Sequence, residues 1–120
     1  MAYARRLAKS KQLIAQETGR NPDTSQVGLG LTDRRPSVFA AFSDTIVIIP
    51  IKLIAPVRKL SDATTLTIPW CDVSLVKRRA GLGYTGFDLA LPAATLRTDV
   101  ANQWRDLIKD LNARAATPAE

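Results

Sequence analysis

Apolar residues follow two different periods along this 120-residue chain, and each period predicts a different kind of element. Between residues 27 and 91, apolar positions alternate with polar or small ones in short runs separated by Gly, Pro and Asp. That pattern is typical of strands joined by tight turns. Near both ends, apolar residues instead recur every three or four positions, as in amphipathic helices. The pattern therefore predicts a helix, then six or seven strands, then a second helix.

The first predicted strands form a hairpin, with a strand at residues 27–31, a turn at 32–36 and a strand at 38–42. Residues 45–57 (TIVIIPIKLIAPV) predict one or two strands buried on at least one side, because β-branched residues dominate them. Prolines and a lysine interrupt this run, and a spanning helix needs about 20 apolar residues, so no transmembrane segment is expected. Further strands are predicted at residues 64–68, 73–77 and 87–91.

The last element has the clearest helical pattern. Thr98 is a suitable N-cap, and Asp99 complements the dipole of a helix that starts there. An antiparallel sheet that curls into a small barrel leaves one end open, and this helix is predicted to close it. Its apolar stripe is predicted to be the core of the capping helix and comprises Val100, Trp104, Leu107, Ile108 and Leu111.

Residues 1–22 predict a basic amphipathic helix followed by a linker. Gly19 and the Asn-Pro-Asp sequence at 21–23 are expected to end the helix. The apolar face of this helix is too thin for firm membrane insertion. The helix is expected to dock onto another subunit or onto its own domain, with disorder as the third alternative. The candidate partner-docking residues are Tyr3, Arg5, Arg6, Leu7, Lys9 and Ile14.

The residue types limit the chemistry that the chain can perform. It has no histidine and a single cysteine, Cys71, which excludes the usual hydrolase triads, an internal disulfide and a thiolate zinc site. A packing role is expected for Cys71 and its neighbour Trp70. The carboxylates are scattered without paired spacing, and the glycines at 81, 83 and 86 lie between two strands, which is the wrong context for a phosphate loop. We expect no enzymatic activity, no catalytic or metal site, no cofactor and a cytoplasmic location.

Two short motifs carry a resemblance to a known family. The stretch LGLTDRR at residues 29–35, followed by a strand at 37–42, resembles the "strand, Thr-Asx-x-Arg, strand" opening of bacterial pleckstrin-homology-like domains. The stretch IPWCDVSLV at 68–76 resembles the mid-domain signature of that family. The resemblance implies a mainly β (α+β) fold, a partly open antiparallel barrel of about seven strands capped by a C-terminal helix. It also implies a binding module rather than an enzyme.

The expected domain organisation follows from the elements and the resemblance together. Residues 1–22 form the basic helix and linker, residues 23–114 the pleckstrin-homology-like domain, and residues 115–120 a flexible tail. We see no internal repeat.

Positive charge exceeds negative charge, with 17 Lys and Arg against 11 Asp and Glu, a formal net charge of +6. Arginine forks suit phosphate oxygens, and the resemblance places basic residues on the first turn of phosphoinositide-binding members. The alternatives are that these arginines brace the turn and that the other cations are solvated strand ends. The candidate contacts for an anionic ligand are Arg34, Arg35, Arg58, Lys59, Lys77, Arg78 and Arg79.

The first functional hypothesis is a non-enzymatic binding or assembly module that acts through protein–protein contacts, most simply self-association. The pair of fold motifs favours it, and the apolar run at 45–57, which is richer than one strand needs, could leave an exposed strand that pairs with a second copy. The second hypothesis is that the basic surface binds anionic membrane lipid or nucleic acid. Nucleic acid is less favoured, because no stacking aromatic residues are interleaved with the cations. A third is a structural subunit of a larger particle, such as a phage virion.

Overall fold

The chain forms one antiparallel sheet flanked by two helices. The computed structural model describes residues 2–52, 57–61 and 63–115, with side chains from residue 4 onward. Short 3₁₀ turns at Pro22–Thr24 and Trp70–Asp72 join some of the elements. The helices and strands are α1 (Ala2–Thr18), β1 (Gln26–Thr32), β2 (Arg35–Ala41), β3 (Thr45–Pro50), β4 (Leu66–Pro69), β5 (Ser74–Ala80), β6 (Tyr84–Ala90), β7 (Thr95–Ala101) and α2 (Arg105–Arg114).

The seven strands lie in the order β4-β3-β2-β1-β7-β6-β5, and every neighbouring pair is antiparallel. The central strand β1 pairs with β2 on one side and with β7 on the other, so the first and last strands lie side by side in the middle of the sheet. The sheet curls into a half-barrel, and the C-terminal helix α2 follows its last strand, β7. The predicted fold class, a mainly β half-barrel of seven strands with a helix at each end of the chain, is confirmed.

The inner face of the half-barrel is covered by α2. Cross-strand neighbours share a face, and the registers place Gly28 beside Phe39 and Phe39 beside Ile48. A Cβ atom added at Gly28 would lie 2.5 Å from a methyl carbon of Leu107, so α2 packs directly on this face. Phe39, Ile48 and Leu107 are almost fully buried. The inner face and α2 therefore make one apolar core.

The opposite face of β1, β2 and β3 is equally buried, and α1 covers it. Leu29, Val38 and Ile49 are cross-strand neighbours on this face and are at most 2% exposed. Leu13 and Ile14 of α1 belong to the same buried cluster, and α1 packs against β1. Strands buried on both faces have continuous rather than alternating hydrophobic sequences, which explains the apolar run of β3.

Within the described residues of the apolar run at 45–57, no apolar strand is left exposed in the way that the first hypothesis suggested. Residues 45–50 of the run form β3, which is paired on both sides, and Ile46, Val47, Ile48 and Ile49 have no exposed surface. Ile51 is 2% exposed. Residues 53–56 lie outside the described part of the chain. Leu13 and Ile14 of α1 belong to the same buried cluster as the buried residues of this run, a packing that the sequence alone did not assign.

The predicted start of the C-terminal helix is wrong. Thr98 and Val100 lie inside β7, and the helix begins at Arg105 with Trp104 as its N-cap. The Thr98 hydroxyl donates a hydrogen bond to the Phe87 carbonyl in β6 at 2.8 Å and does not cap a helix. Val100 is fully buried, but as a strand residue. The rest of the predicted stripe lies on α2, where Trp104, Leu107 and Leu111 are buried and Ile108 is half-buried.

No helix in the described ranges combines the length and the hydropathy needed to cross a bilayer.

Candidate anion-binding surface

The β1–β2 turn is fastened to β7 by its aspartate. Asp33 and Arg34, the two central residues of the turn, have φ angles of 49° and 70°. Such positive φ angles at both positions are typical of the tight hairpin turns that follow the twist of the strands. The Asp33 amide donates to the Arg97 carbonyl at 2.8 Å, and the Arg97 amide donates to the Asp33 carboxylate at 3.3 Å. The turn is therefore held without the guanidinium groups of Arg34 and Arg35, and both residues are exposed.

Three exposed cations lie on neighbouring chain segments at this end of the sheet. Ser37 of β2 pairs with Pro50 of β3, and the Ile51 amide donates to the Pro36 carbonyl. Continuing this register by two residues beyond the end of β3 brings Arg35 next to Lys52. The Lys52 amide in turn donates to the Arg58 carbonyl at 2.7 Å. Neighbouring chain segments in a sheet are about 4.8 Å apart. Together with Arg34 in the adjoining turn, these cations form what we call the basic row: Arg34, Arg35, Lys52 and Arg58.

The basic row has no acidic partner among the described residues. The four side chains are exposed, and no described carboxylate lies within ion-pair distance of them. Like charges directly opposite one another in a sheet are destabilising. A bound anion would replace this repulsion with charge-assisted hydrogen bonds, for which arginine forks are well suited. The positive charge of the row is therefore unbalanced among the described residues, and a bound oxyanion would neutralise it.

A buried hydroxyl adjoins the row. Thr32 is the last partner of Arg35 in the hairpin and is 9% exposed. Its Oγ1 atom is buried and makes no hydrogen bond to any described residue. On its other side Thr32 pairs with Thr98, whose hydroxyl is occupied by the Phe87 carbonyl. The inner end of the row thus holds one polar group whose hydrogen-bonding capacity is unused within the described chain.

Lys59 was a predicted anion contact, but it is engaged elsewhere. Its Nζ lies 2.8 Å from Glu17 Oε1 of α1, and Glu17 also accepts a hydrogen bond from Thr65 Oγ1 at 3.1 Å. The hydrogen bond from Lys59 lowers the pKa of Glu17 below its ordinary value, outweighing partial desolvation, with a smaller contribution from Thr65. Lys59 therefore fastens α1 to the segment that follows β3.

Arg79 is likewise engaged, on the outer face of β5, β6 and β7. Its guanidinium is 2.6 Å from Asp88 Oδ1 and 3.2 Å from Asp99 Oδ1. A Cβ atom at Gly86 would lie 2.7 Å from Arg79 Nη1, so the glycine leaves the space that the guanidinium needs to cross the sheet. The hydrogen bond to Asp88 raises the pKa of Arg79 above its ordinary value. This predicted contact is a bridge between strands.

Lys77 and Arg78 are exposed, but they lie on the edge strand β5 and are not part of the basic row. Of the seven predicted cations, the structure therefore brings together Arg34, Arg35 and Arg58. It adds Lys52, which the sequence showed only as an interruption in an apolar run. Its place follows from the pairing of β2 with β3, which ends at Ser37 and Pro50, two residues before Lys52.

The predicted docking residues of α1 divide into two groups. Ile14 has no exposed surface and Leu7 is half-buried, so both are used by the chain's own core. Arg5 and Lys9 are exposed, and Arg6 is half-buried. The side chain of Tyr3 lies outside what the structure describes. Of the three alternatives for this helix, the structure shows docking onto its own domain.

The residues around Cys71 offer little chemistry. Cys71 is exposed, contrary to the packing role expected for it, and its Sγ is 3.9 Å from Asp72 Oδ1. Trp70 is half-buried, and its Nε1 donates to the Phe42 carbonyl at 2.7 Å. Within the described ranges, no three His, Cys, Asp or Glu side chains are grouped in a way that would hold a metal ion.

Comparison of the chain with protein-family models, with curated proteins and with solved structures gives no match.

Proposed function

We propose that this protein is a non-enzymatic binding module whose basic row holds a phosphate-bearing anion. The observation that carries the proposal is the lateral arrangement of Arg35, Lys52 and Arg58, which lie on neighbouring segments without an acidic partner in the described chain. Lys59 and Arg79, by contrast, are neutralised by the chain's own carboxylates, whereas Lys77 and Arg78 on β5 are not. No carboxylate of the described residues neutralises the row in this way, and an external anion would complement its charge.

The resemblance to bacterial pleckstrin-homology-like domains implies a partly open barrel of about seven strands closed by a C-terminal helix, and we keep that assignment as part of the proposal. The phosphate group belongs either to an anionic phospholipid in a membrane or to a soluble ligand. Nucleic acid is less favoured, because binding to single strands depends on aromatic stacking, and no exposed aromatic side chain among the described residues lies at the row. A cytoplasmic location remains part of the same proposal.

The proposal is tested by reversing charge in the row. We expect the double variant Arg35→Glu, Arg58→Glu to bind the ligand at least tenfold more weakly. Each lost contact with a phosphate reduces the binding free energy by about 1 kcal/mol or more. Binding is measured by co-sedimentation with phosphatidylglycerol vesicles and by calorimetry with pyrophosphate. Phosphatidylcholine vesicles serve as the neutral control. Binding to vesicles alone identifies a lipid ligand, and binding to pyrophosphate alone identifies a soluble one.

The matched control is Arg105→Glu, Lys109→Glu, two exposed cations on α2. It changes the net charge by the same amount without touching the row. Equal loss of binding in both double variants would show that only net charge matters and would contradict the proposal. The row variant is expected to fold normally and to gain about 0.2–1 kcal/mol of stability per corrected pair, since the substitution at Arg35 would place a carboxylate opposite Lys52.

Self-association is the alternative, either as a scaffold or as a subunit of a larger particle. The exposed apolar strand suggested in its support is not found at β3, whose residues Ile46 to Ile49 are buried. What favours it now is the edge strand β5, on which Val76 is 62% exposed. Light scattering distinguishes the two interpretations. A molar mass of twice 13.1 kDa that persists at high salt would favour assembly over a module that acts as a single chain.

A further inference from the structure

The exposed large apolar side chains of the described residues all lie on one hairpin. Val76 on β5 is 62% exposed, Leu82 in the β5–β6 turn is 102% exposed, and Tyr84 at the start of β6 is 38% exposed. Scattered exposed apolar residues need no explanation, but a concentration on one projecting element marks an interaction surface. Leu82 makes so little contact with the rest of the chain that folding alone gives no reason for its size.

The turn presents Leu82 on a well-fixed and narrow tip. The Gly81 amide donates to the Tyr84 carbonyl at 3.0 Å, and Gly83 supplies the positive φ, 83°, that the turn needs. The Asn102 amide donates to the Gly83 carbonyl at 2.9 Å, which ties the turn to the segment after β7. A Cβ atom at Gly83 would meet nothing within 4 Å, so this side of the tip faces open space. Leu82 is thus held outward by backbone hydrogen bonds.

The unneutralised charges of the same hairpin are positive. Lys77 and Arg78 are exposed and form no ion pair with described residues, whereas Arg79 and Asp88 neutralise each other. Pairing of β5 with a second copy of itself would place these cations against their own equivalents, which is unfavourable. An apolar tip, a tyrosine near it and lysine and arginine behind it are the combination that an anionic bilayer accommodates.

We propose that the β5–β6 hairpin is a membrane-inserting finger for an anionic phospholipid bilayer. Leu82 enters the acyl region, Tyr84 lies at the interface, and Lys77 and Arg78 contact headgroup phosphates. The inference goes beyond the proposed function and uses none of the residues of the basic row. The two can therefore succeed or fail separately.

Insertion is measured with a fluorescent probe at the tip. The chain carries Cys71→Ser and Leu82→Cys, with an environment-sensitive nitrobenzoxadiazole label on the new thiol. With equimolar phosphatidylglycerol and phosphatidylcholine vesicles we expect a blue shift and quenching by a nitroxide placed in the acyl chain. The matched control carries the label at Ala93→Cys, an exposed position in the β6–β7 turn, and its emission is expected to stay unchanged.

Affinity is measured in parallel with unlabelled variants. Leu82→Ser is expected to weaken binding to the anionic vesicles about tenfold or more, since a buried leucine contributes that much. Lys77→Gln and Arg78→Gln are each expected to weaken it about fivefold. Ala93→Ser is the unchanged control. Leu82 is fully exposed, so its replacement leaves the fold intact, and circular dichroism verifies this for each variant.

The outcomes separate this proposal from the previous one. If the label at position 82 responds to vesicles in both the wild-type background and Arg35→Glu, Arg58→Glu, the hairpin inserts independently of the row. If vesicles bind but the label at 82 is silent, the hairpin proposal is overturned, whatever the row does. A shift that appears without vesicles and grows with protein concentration identifies a second copy as the occupant and also overturns it.

Discussion

Gly28 and Gly30 of the central strand β1 each allow a close contact that a side chain would block. Gly28 lies against side chains at α2, and Gly30 lies against the backbone of β7. A Cβ atom at Gly30 would collide with the backbone carbonyl oxygen of Asp99 in β7. At Gly28 the nearest atom is a terminal methyl group of Leu107, at 2.5 Å, which a rotamer change can move. A backbone contact cannot relax without separating β1 from β7. The two glycines should therefore differ in how well they tolerate the same substitution.

We expect Gly30→Ala to lower the free energy of unfolding by about 3 kcal/mol or more, and Gly28→Ala by about 1–3 kcal/mol. Urea unfolding followed by tryptophan fluorescence measures both. Gly81→Ala is the matched control, because its Cβ would be 3.5 Å from the nearest atom, and a change within about 0.5 kcal/mol is expected there. A Gly30 variant as stable as the Gly81 variant would show that the β1–β7 pair is looser than described.

At the same scale, the sequence could predict part of the candidate site. Arg34 and Arg35 belong to a local turn, so their exposure follows from a few neighbouring residues. Lys59 and Arg79 look equally available in the sequence, yet Glu17 and Asp99 neutralise them through contacts between distant segments. Whether a cation is free depends on which carboxylate the fold brings to it. Spacing along the chain does not contain that information.

Among the elements, β7 shows why a helical pattern can mislead. Leu96, Thr98 and Val100 alternate as in a strand, whereas Val100 and Trp104 are four apart as in a helix, so one stretch satisfies both periods. The pairing of β7 with both β6 and β1 selects the strand. Because such pairing joins distant parts of the chain, it overrides local preference. The helix α2 therefore contains only those residues of the predicted apolar stripe that come after the paired part of β7.

The first helix is an integral layer of the fold, and Ile14 tests this. Its side chain has no exposed surface and belongs to the same cluster as the outer residues of the sheet. We expect Ile14→Ala to lower the free energy of unfolding by about 2–5 kcal/mol, because it opens a cavity between helix and sheet. Chemical denaturation provides the measurement, with exposed Gln12→Ala as the control. A loss below about 1 kcal/mol would mean that α1 contributes little to the core.

For the whole molecule, the strand count and the closing helix were predictable, because tight turns and alternation are local features. The layer formed by α1 was not. The apolar run at 45–50 predicted strands buried on at least one side, but the sequence did not say what would cover the second face. Leu13 and Ile14 of α1, more than thirty residues away, belong to the same buried cluster as this run, and α1 packs against the central strand β1. The same run therefore suggested an interface between copies, although it is satisfied within one chain.

The attachment of α1 to the rest of the molecule should depend on pH. Two ion pairs at the end of this helix contribute, Glu17 with Lys59 at 2.8 Å and Arg20 with Asp44 at 2.9 Å. The hydrogen bond from Lys59 lowers the pKa of Glu17, and that from Arg20 lowers the pKa of Asp44. A carboxyl whose pKa is lower in the folded state stabilises fully above its unfolded pKa, and this stabilisation is lost as pH falls through the folded pKa.

We therefore expect Glu17→Gln to be less stable than the wild type at pH 7, by less than about 1 kcal/mol because the pair is near the surface. The difference should shrink once the pH falls below the ordinary glutamate value of 4.5, because the unfolded carboxyl then binds a proton, whereas the folded one, whose pKa is lowered, stays ionised to a lower pH. Urea unfolding at several pH values between 7 and 2 measures it, with Asp72→Asn, an exposed carboxylate without an ion pair among the described residues, as the control. A difference that stays constant down to pH 2 would mean that Glu17 acts through packing or neutral hydrogen bonding.

Protection of the α1 amides from hydrogen exchange should fall over the same pH window in the wild type, because both carboxylates that fasten the helix end become neutral as the pH falls.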